Sequence, residues 1–136
     1  MTSPEALLSM ARGLLDAPHS RIPVPLRTRA AAFLARQALE AALDDYWKAR
    51  GLPLDRCPMR AQLVCLREYA PADDASTASA FEQTWATLSR ACHHHPYELT
   101  PTIAELRPAI ALLEGALAHG LGDAAPPQGR FGFLAQ

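Results

Sequence analysis

The stretch from about Leu26 to Arg50 constrains the fold more than any other part of the chain. Alanine, leucine, arginine, glutamine and glutamate dominate it, and these are strong helix formers. Leu39, Leu43 and Tyr46 form an apolar stripe, with Leu34 or Ala35 one turn earlier. Arg36 and Glu40 are four apart and can pair along one face, a surface contact worth a few tenths of a kcal/mol. Gly51 is placed to end the helix. This is the longest and clearest helix of the chain, and an all-α domain requires the other segments to be helical too.

They read that way. From Ser3 to Ala17, Ser3 can cap, Pro4 suits the first helical position and Glu5 lies where the helix dipole favours it. Leu7, Leu8, Ala11, Leu14 and Leu15 share one face, and Pro18 closes the segment. The linker His19–Pro25 should be extended and helix-free. After a loop from Leu52 to Cys57, a third helix is expected from about Pro58 to Tyr69, with Leu63, Val64 and Leu66 as its apolar contacts. Residues 70–75 form a turn in which Asp73 or Asp74 can cap a fourth helix. In that helix Phe81, Trp85, Leu88 and Cys92 recur at four, three and four, and the same rhythm adds His95. Pro96 should end the helix at about His94. A fifth helix opens on the capping box Thr102-Ile-Ala-Glu105. It carries Ile103, Leu106, Ile110, Leu113 and Leu117, should kink at Pro108 and should stop at Gly120. There are no repeats and no strand hairpins. The expected architecture is an all-α antiparallel bundle of about five helices. Residues 1–119 are expected to form one domain and 120–136 an extended tail, with Phe131 and Phe133 docked on the bundle, docked on a partner or left loose.

With 136 residues the chain can bury one proper core. No apolar run approaches a membrane span, and the N-terminus lacks the pattern of a secretory signal, so a soluble cytoplasmic protein without membrane contact is expected. Cys57, Cys65 and Cys92 are odd in number and without framework spacing, which reads as reduced, mostly buried thiols. Net charge is −1, so no global basic field advertises nucleic acid. Twelve of the thirteen basic residues are arginine, as GC-rich coding would produce.

Chemistry concentrates in Leu88–Leu99, which holds three of the five histidines together with Arg90, Cys92 and Tyr97. As metal ligands, adjacent helix residues diverge by about 100° and cannot meet on one ion. Cys92 and His95 are the one good local pair, and His119, Cys65 or Glu40 would have to complete a site. No metal or cofactor is therefore assigned. As a phosphate-directed site, arginine offers a forked cation, histidine moves protons near neutral pH and tyrosine adds a hydroxyl. RNA cleavage needs little beyond a base, an acid and positive charge on the phosphate.

Arg90, four residues, His95, one residue and Tyr97 resemble the Arg-four-His-x-Tyr motif of HEPN-domain proteins. The long Ala/Leu/Arg/Glu helix and the motif's place at the end of a later helix are also similar to that superfamily. Ala35–Glu40 and Arg90–Leu99 resemble stretches of an actinobacterial HEPN-like group. The resemblance implies a HEPN-like bundle and a metal-independent ribonuclease or RNA-binding protein of toxin–antitoxin or defence type. RNA and an antitoxin or other protein would be its partners, and a homodimer would make one composite cleft from two motifs. Arg90 would hold the scissile phosphate, His95 would transfer protons, and Tyr97 would assist or be modified. Ala91 departs from the polar residue usual after the arginine. Positions five apart lie about 140° around a helix, so Arg90 and His95 meet through a bend at Pro96 or across a dimer. His94 is the better local neighbour of Arg90, and Glu40 is a supporting residue behind the site.

The same residues also admit a structural reading. His95 would be a core histidine satisfied by Glu40 or a backbone carbonyl. Arg90 would pair with Glu98 or Glu82, and His93 and His94 would be solvated at a helix C-terminus. The chain would then be a non-catalytic interaction module, docking through the Phe131–Leu134 tail or a helical face.

Overall fold

A computed structural model describes residues 2–18, 20–69, 75–92 and 100–119. Among these the architecture is all-α, with five α-helices, one short 3₁₀ turn and no strand. Helix α1 spans Pro4–Leu15, α2 Val24–Ala49, α3 Met59–Tyr69, α4 Ala75–Cys92 and α5 Ile103–His119. The 3₁₀ turn, Leu54–Arg56, lies inside the stretch expected to be plain loop.

The end signals act much as the residues imply. The Ser3 hydroxyl accepts from the Ala6 N–H at 3.2 Å, with Pro4 directly after it. Helix α1 stops at Leu15 rather than Ala17. Pro18 disfavours helical backbone just before it, and Asp16 donates the closing bond to the Arg12 carbonyl. The helix-free linker must be corrected at its far end, because Val24 and Pro25 already belong to α2. Proline is neutral there, since the first turn leaves its N–H groups without helical partners. The Pro23 carbonyl accepts from Leu26 and Arg27 at 3.0 and 3.1 Å. At the other end Gly51 takes φ +69°, a left-handed value that costs glycine least. Its N–H donates to the Lys48 carbonyl and that of Leu52 to the Trp47 carbonyl, a Schellman closure. Leu52 and Trp47 both join the core, supplying the apolar contact that accompanies this motif. In α5 the Thr102 hydroxyl accepts from the Glu105 N–H at 3.1 Å, and the helix continues through Pro108.

Helix α2 is the axis of the molecule. Its inner face is mostly alanine, with Ala31, Ala32, Ala35 and Ala38 buried alongside Leu39, Leu43 and Trp47. Small side chains let α1, α4 and α5 approach closely, and dispersion contacts reward that approach. Leu8, Ala11 and Leu15 come from α1, Phe81 and Leu88 from α4, and Leu106, Ile110 and Leu113 from α5. Ala35, not Leu34, is the fully buried position of the expected stripe.

Helix α1 runs antiparallel to α2. Arg27, in α2's second turn, donates to the carbonyls of Leu14, Ala17 and Ile22 at 3.2, 2.9 and 3.2 Å. Helix α5 runs antiparallel to α1. Arg12 Nε donates to Glu114 at 2.8 Å, and Arg107 meets Asp16 at 2.6 Å. Below α2's C-terminus, Tyr46, Trp47 and Tyr69 pack edge to face, with centroids 4.8–6.4 Å apart. The Trp47 indole N–H donates to Gln62 Oε1 at 3.2 Å, and Gln62 Nε2 donates to the Cys57 carbonyl at 2.8 Å. A buried amide thus satisfies the indole and a turn carbonyl at once.

Candidate functional site

Of the residues singled out for chemistry, Arg90 and Glu40 are described by the structure. His94, His95 and Tyr97 lie outside the described residues, as do Glu98, Gly120, Asp73, Asp74 and the tail.

Arg90 sits in the last turn of α4. Leu88 and Ala91 on either side are buried, whereas Arg90 itself is exposed. Counting 100° per residue places it about 200° from Leu88, on the side of α4 away from the core. Its expected ion-pair partner Glu82 is taken, since Arg67 of α3 holds that carboxylate. Pairing across two packed helices leaves Glu82 no call on an arginine two turns along its own helix. Among the described residues Arg90 has no ion pair, and it is exposed in the last turn of its helix.

Glu40 is half-buried in α2 and bonds Arg36 Nε at 3.0 Å, the pair expected from their spacing. Arg36 does more than the spacing implied. Its guanidinium carbon lies 5.7 Å from the Trp85 ring centroid, a cation–π distance. It also acts on the Cys92 thiol, which burial pushes up from the usual thiol range while Arg36 draws it partly back. Trp85 and Cys92 are two turns apart on α4, so Arg36 faces the last part of that helix along its length. The Arg36–Glu40 pair therefore joins the long helix to the helix that carries Arg90.

Beside this pair opens a groove of about 700 Å³. Arg36, Gln37, Glu40, Ala41 and Asp44 of α2 form its floor. Thr2 and Leu7, Trp85, and Asp55, Cys57, Met59 and Gln62 form its walls. Glu40, Asp44 and Asp55 bring three carboxylates to its lining, and Arg36 brings one guanidinium, already paired with Glu40. Asp44 is held at 2.8 Å by Lys48, whose own pKa the hydrogen bond and charge of Asp44 raise.

The three cysteines are free, as expected, but each is half-buried rather than buried. Burial raises the Cys65 thiol, with Cys57 adding to the shift. Among the described residues no group of three or more His, Cys, Asp or Glu side chains could hold a metal ion. His95, which the local pair with Cys92 requires, lies outside the described residues. No described helix is long and apolar enough to cross a membrane.

The groove was not foreseen from the sequence. Arg36 and Glu40 were legible because they are four apart. Trp85, Asp55 and Cys57 reach them only through the packing of distant segments. Set against models of known families, curated proteins and solved structures, the chain finds no match in any of the three.

Proposed function

We propose that this chain is a HEPN-like, RNA-directed protein of the cytoplasm, a metal-independent endoribonuclease of toxin–antitoxin or defence type. It would act as a homodimer whose two motifs form one cleft. Arg90 binds the scissile phosphate, His95 from each copy shares the proton transfers, and Tyr97 supports them. The observation that carries this reading is Arg90 itself, an exposed arginine without an ion-pair partner among the described residues, in the turn just before the histidine run. A guanidinium so placed is available for a bidentate phosphate contact. RNA would approach over that side of α4.

The test is RNA cleavage in EDTA by the purified chain and by Arg90→Ala and His95→Ala, with folding checked by circular dichroism. Cleavage by the wild type, dependent on pH in the histidine range and lost in both folded variants, is the expected result. An intact chain that cuts no RNA tested, or folded variants that cut as well as wild type, would exclude the ribonuclease.

A second reading has its own support. Leu26 and Phe33 on α2 are about half exposed, and Ile22 and Val24 lie just before them. Such a run of apolar side chains on the outside of the central helix favours a non-catalytic interaction module that docks through this face.

A further inference from the structure

The turn of α4 that carries Arg90 is lightly anchored. Among residues 89–92 Ala91 alone is fully buried, and it brings a single methyl to the core. Ser89 Oγ is buried without a hydrogen-bond partner, and Arg90 is exposed. The end turns of a helix open more readily than its middle, so whatever else holds this turn decides where Arg90 stands. The remaining residue is Cys92, and its charged neighbour is Arg36 of α2.

Arg36 makes three kinds of contact at once. Its Nε donates to Glu40 Oε1 at 3.0 Å, which fixes the orientation of the guanidinium plane. The guanidinium carbon stands 5.7 Å from the Trp85 ring centroid. Charge and hydrogen bonding also tie the group to the Cys92 thiol. Its side chain is only 28% exposed, and a cation–π pair is worth more where water is largely excluded. Trp85 takes part through its ring face, since its indole N–H is buried with no partner. Trp85 and Cys92 are seven residues apart, about 10 Å along a helix. One side chain rooted in α2 therefore reaches both of the last two turns of α4.

We propose that Arg36 is a positioning residue: anchored on Glu40, it clamps α4 at Trp85 and Cys92 and fixes the turn from which Arg90 meets a phosphate. The catalytic consequence rests on the ribonuclease reading above, whereas the clamp itself is measured without RNA.

The test compares the full chain with Arg36→Met, Trp85→Leu and Trp85→Phe by two readouts. Amide hydrogen exchange, followed by mass spectrometry, reports the clamp. Arg36→Met and Trp85→Leu should each speed exchange in 88–92 about tenfold and leave 78–84 unchanged. Trp85→Phe keeps an aromatic face and should stay close to wild type. RNA cleavage in EDTA reports the consequence. In Arg36→Met and Trp85→Leu, kcat should fall by about tenfold or more, because a displaced Arg90 misses the reacting phosphate. KM should stay within about threefold, because RNA is still held at its other phosphates. Trp85→Phe should recover most of kcat. A lower urea midpoint with kcat of the folded protein unchanged would make Arg36 merely structural and overturn the proposal. A raised KM with kcat intact would make Arg36 a direct RNA contact and overturn it as well. A wild type that cuts no RNA would remove the ribonuclease reading, and exchange would still decide the clamp. Exchange in 88–92 that is the same in Arg36→Met as in wild type removes the clamp whatever the RNA result.

Discussion

The two faces of α2 solve different problems with the same backbone. The inner face is alanine-rich and ends on Trp47, whose indole N–H donates to Gln62, which in turn donates to the Cys57 carbonyl. The outer face has larger apolar side chains, Leu26 and Phe33, left in water, then carboxylates along a groove. The inner face sets alanines where helices approach closely and Leu39, Leu43 and Trp47 where there is volume to fill, whereas Leu26 and Phe33 outside stay about half in water.

Breaking the inner face should cost most. Trp47→Ala removes the largest fully buried side chain and strands the Gln62 amide, so a loss of about 3–5 kcal/mol is expected in urea unfolding. Ala35→Leu tests close approach directly. A leucine has no room where the alanine is wholly enclosed, and overpacking should cost about 1–3 kcal/mol. If this variant were neutral, the account of the alanine face would fail. Phe33→Ser on the outer face should change stability by no more than about 0.5 kcal/mol. A larger loss would mean that the exposed ring is structural and would weaken its assignment as a docking contact.

The half-buried edge between the faces should show itself in pH. Burial holds the Cys65 and Cys92 thiols above their usual range in the native state. The unfolded chain therefore loses these protons first as pH rises. The contribution of both thiols is fully present below about pH 9 and declines as pH climbs through their native values. Denaturation of a Cys92→Ala variant should show a shallower alkaline decline than the wild type. Native Cys92 should also react with iodoacetamide at pH 8 more slowly than a free thiol.

How far the sequence carried follows from the reach of each interaction. Ser3, Thr102 and Gly51 act within five residues, and their caps were legible. So was the Arg36–Glu40 pair, along with the helical stripes that gave the all-α bundle. Val24 and Pro25 were misread because proline signals a break everywhere except in a first turn. Trp47 escaped the stripe of Leu39, Leu43 and Tyr46 because it lies a further 100° round, where α3 covers it. The pairing of Glu82 with Arg67, and the arrival of Trp85 and Cys92 at Arg36, depend on helices meeting across long stretches of chain. No local periodicity encodes those meetings. Arg90 could be named from its motif, but its lack of an ion pair among the described residues could not.

Arg27 sets an order of events. Its three carbonyl acceptors all lie within 13 residues of it in the chain, so the α1–α2 hairpin closes at little loop entropy. The groove, by contrast, waits for α3 and α4 to arrive. Contacts local in sequence form soonest, which makes the hairpin the natural nucleus. The outer face of α2 would then exist from the first moments after synthesis, before the rest of the bundle is complete.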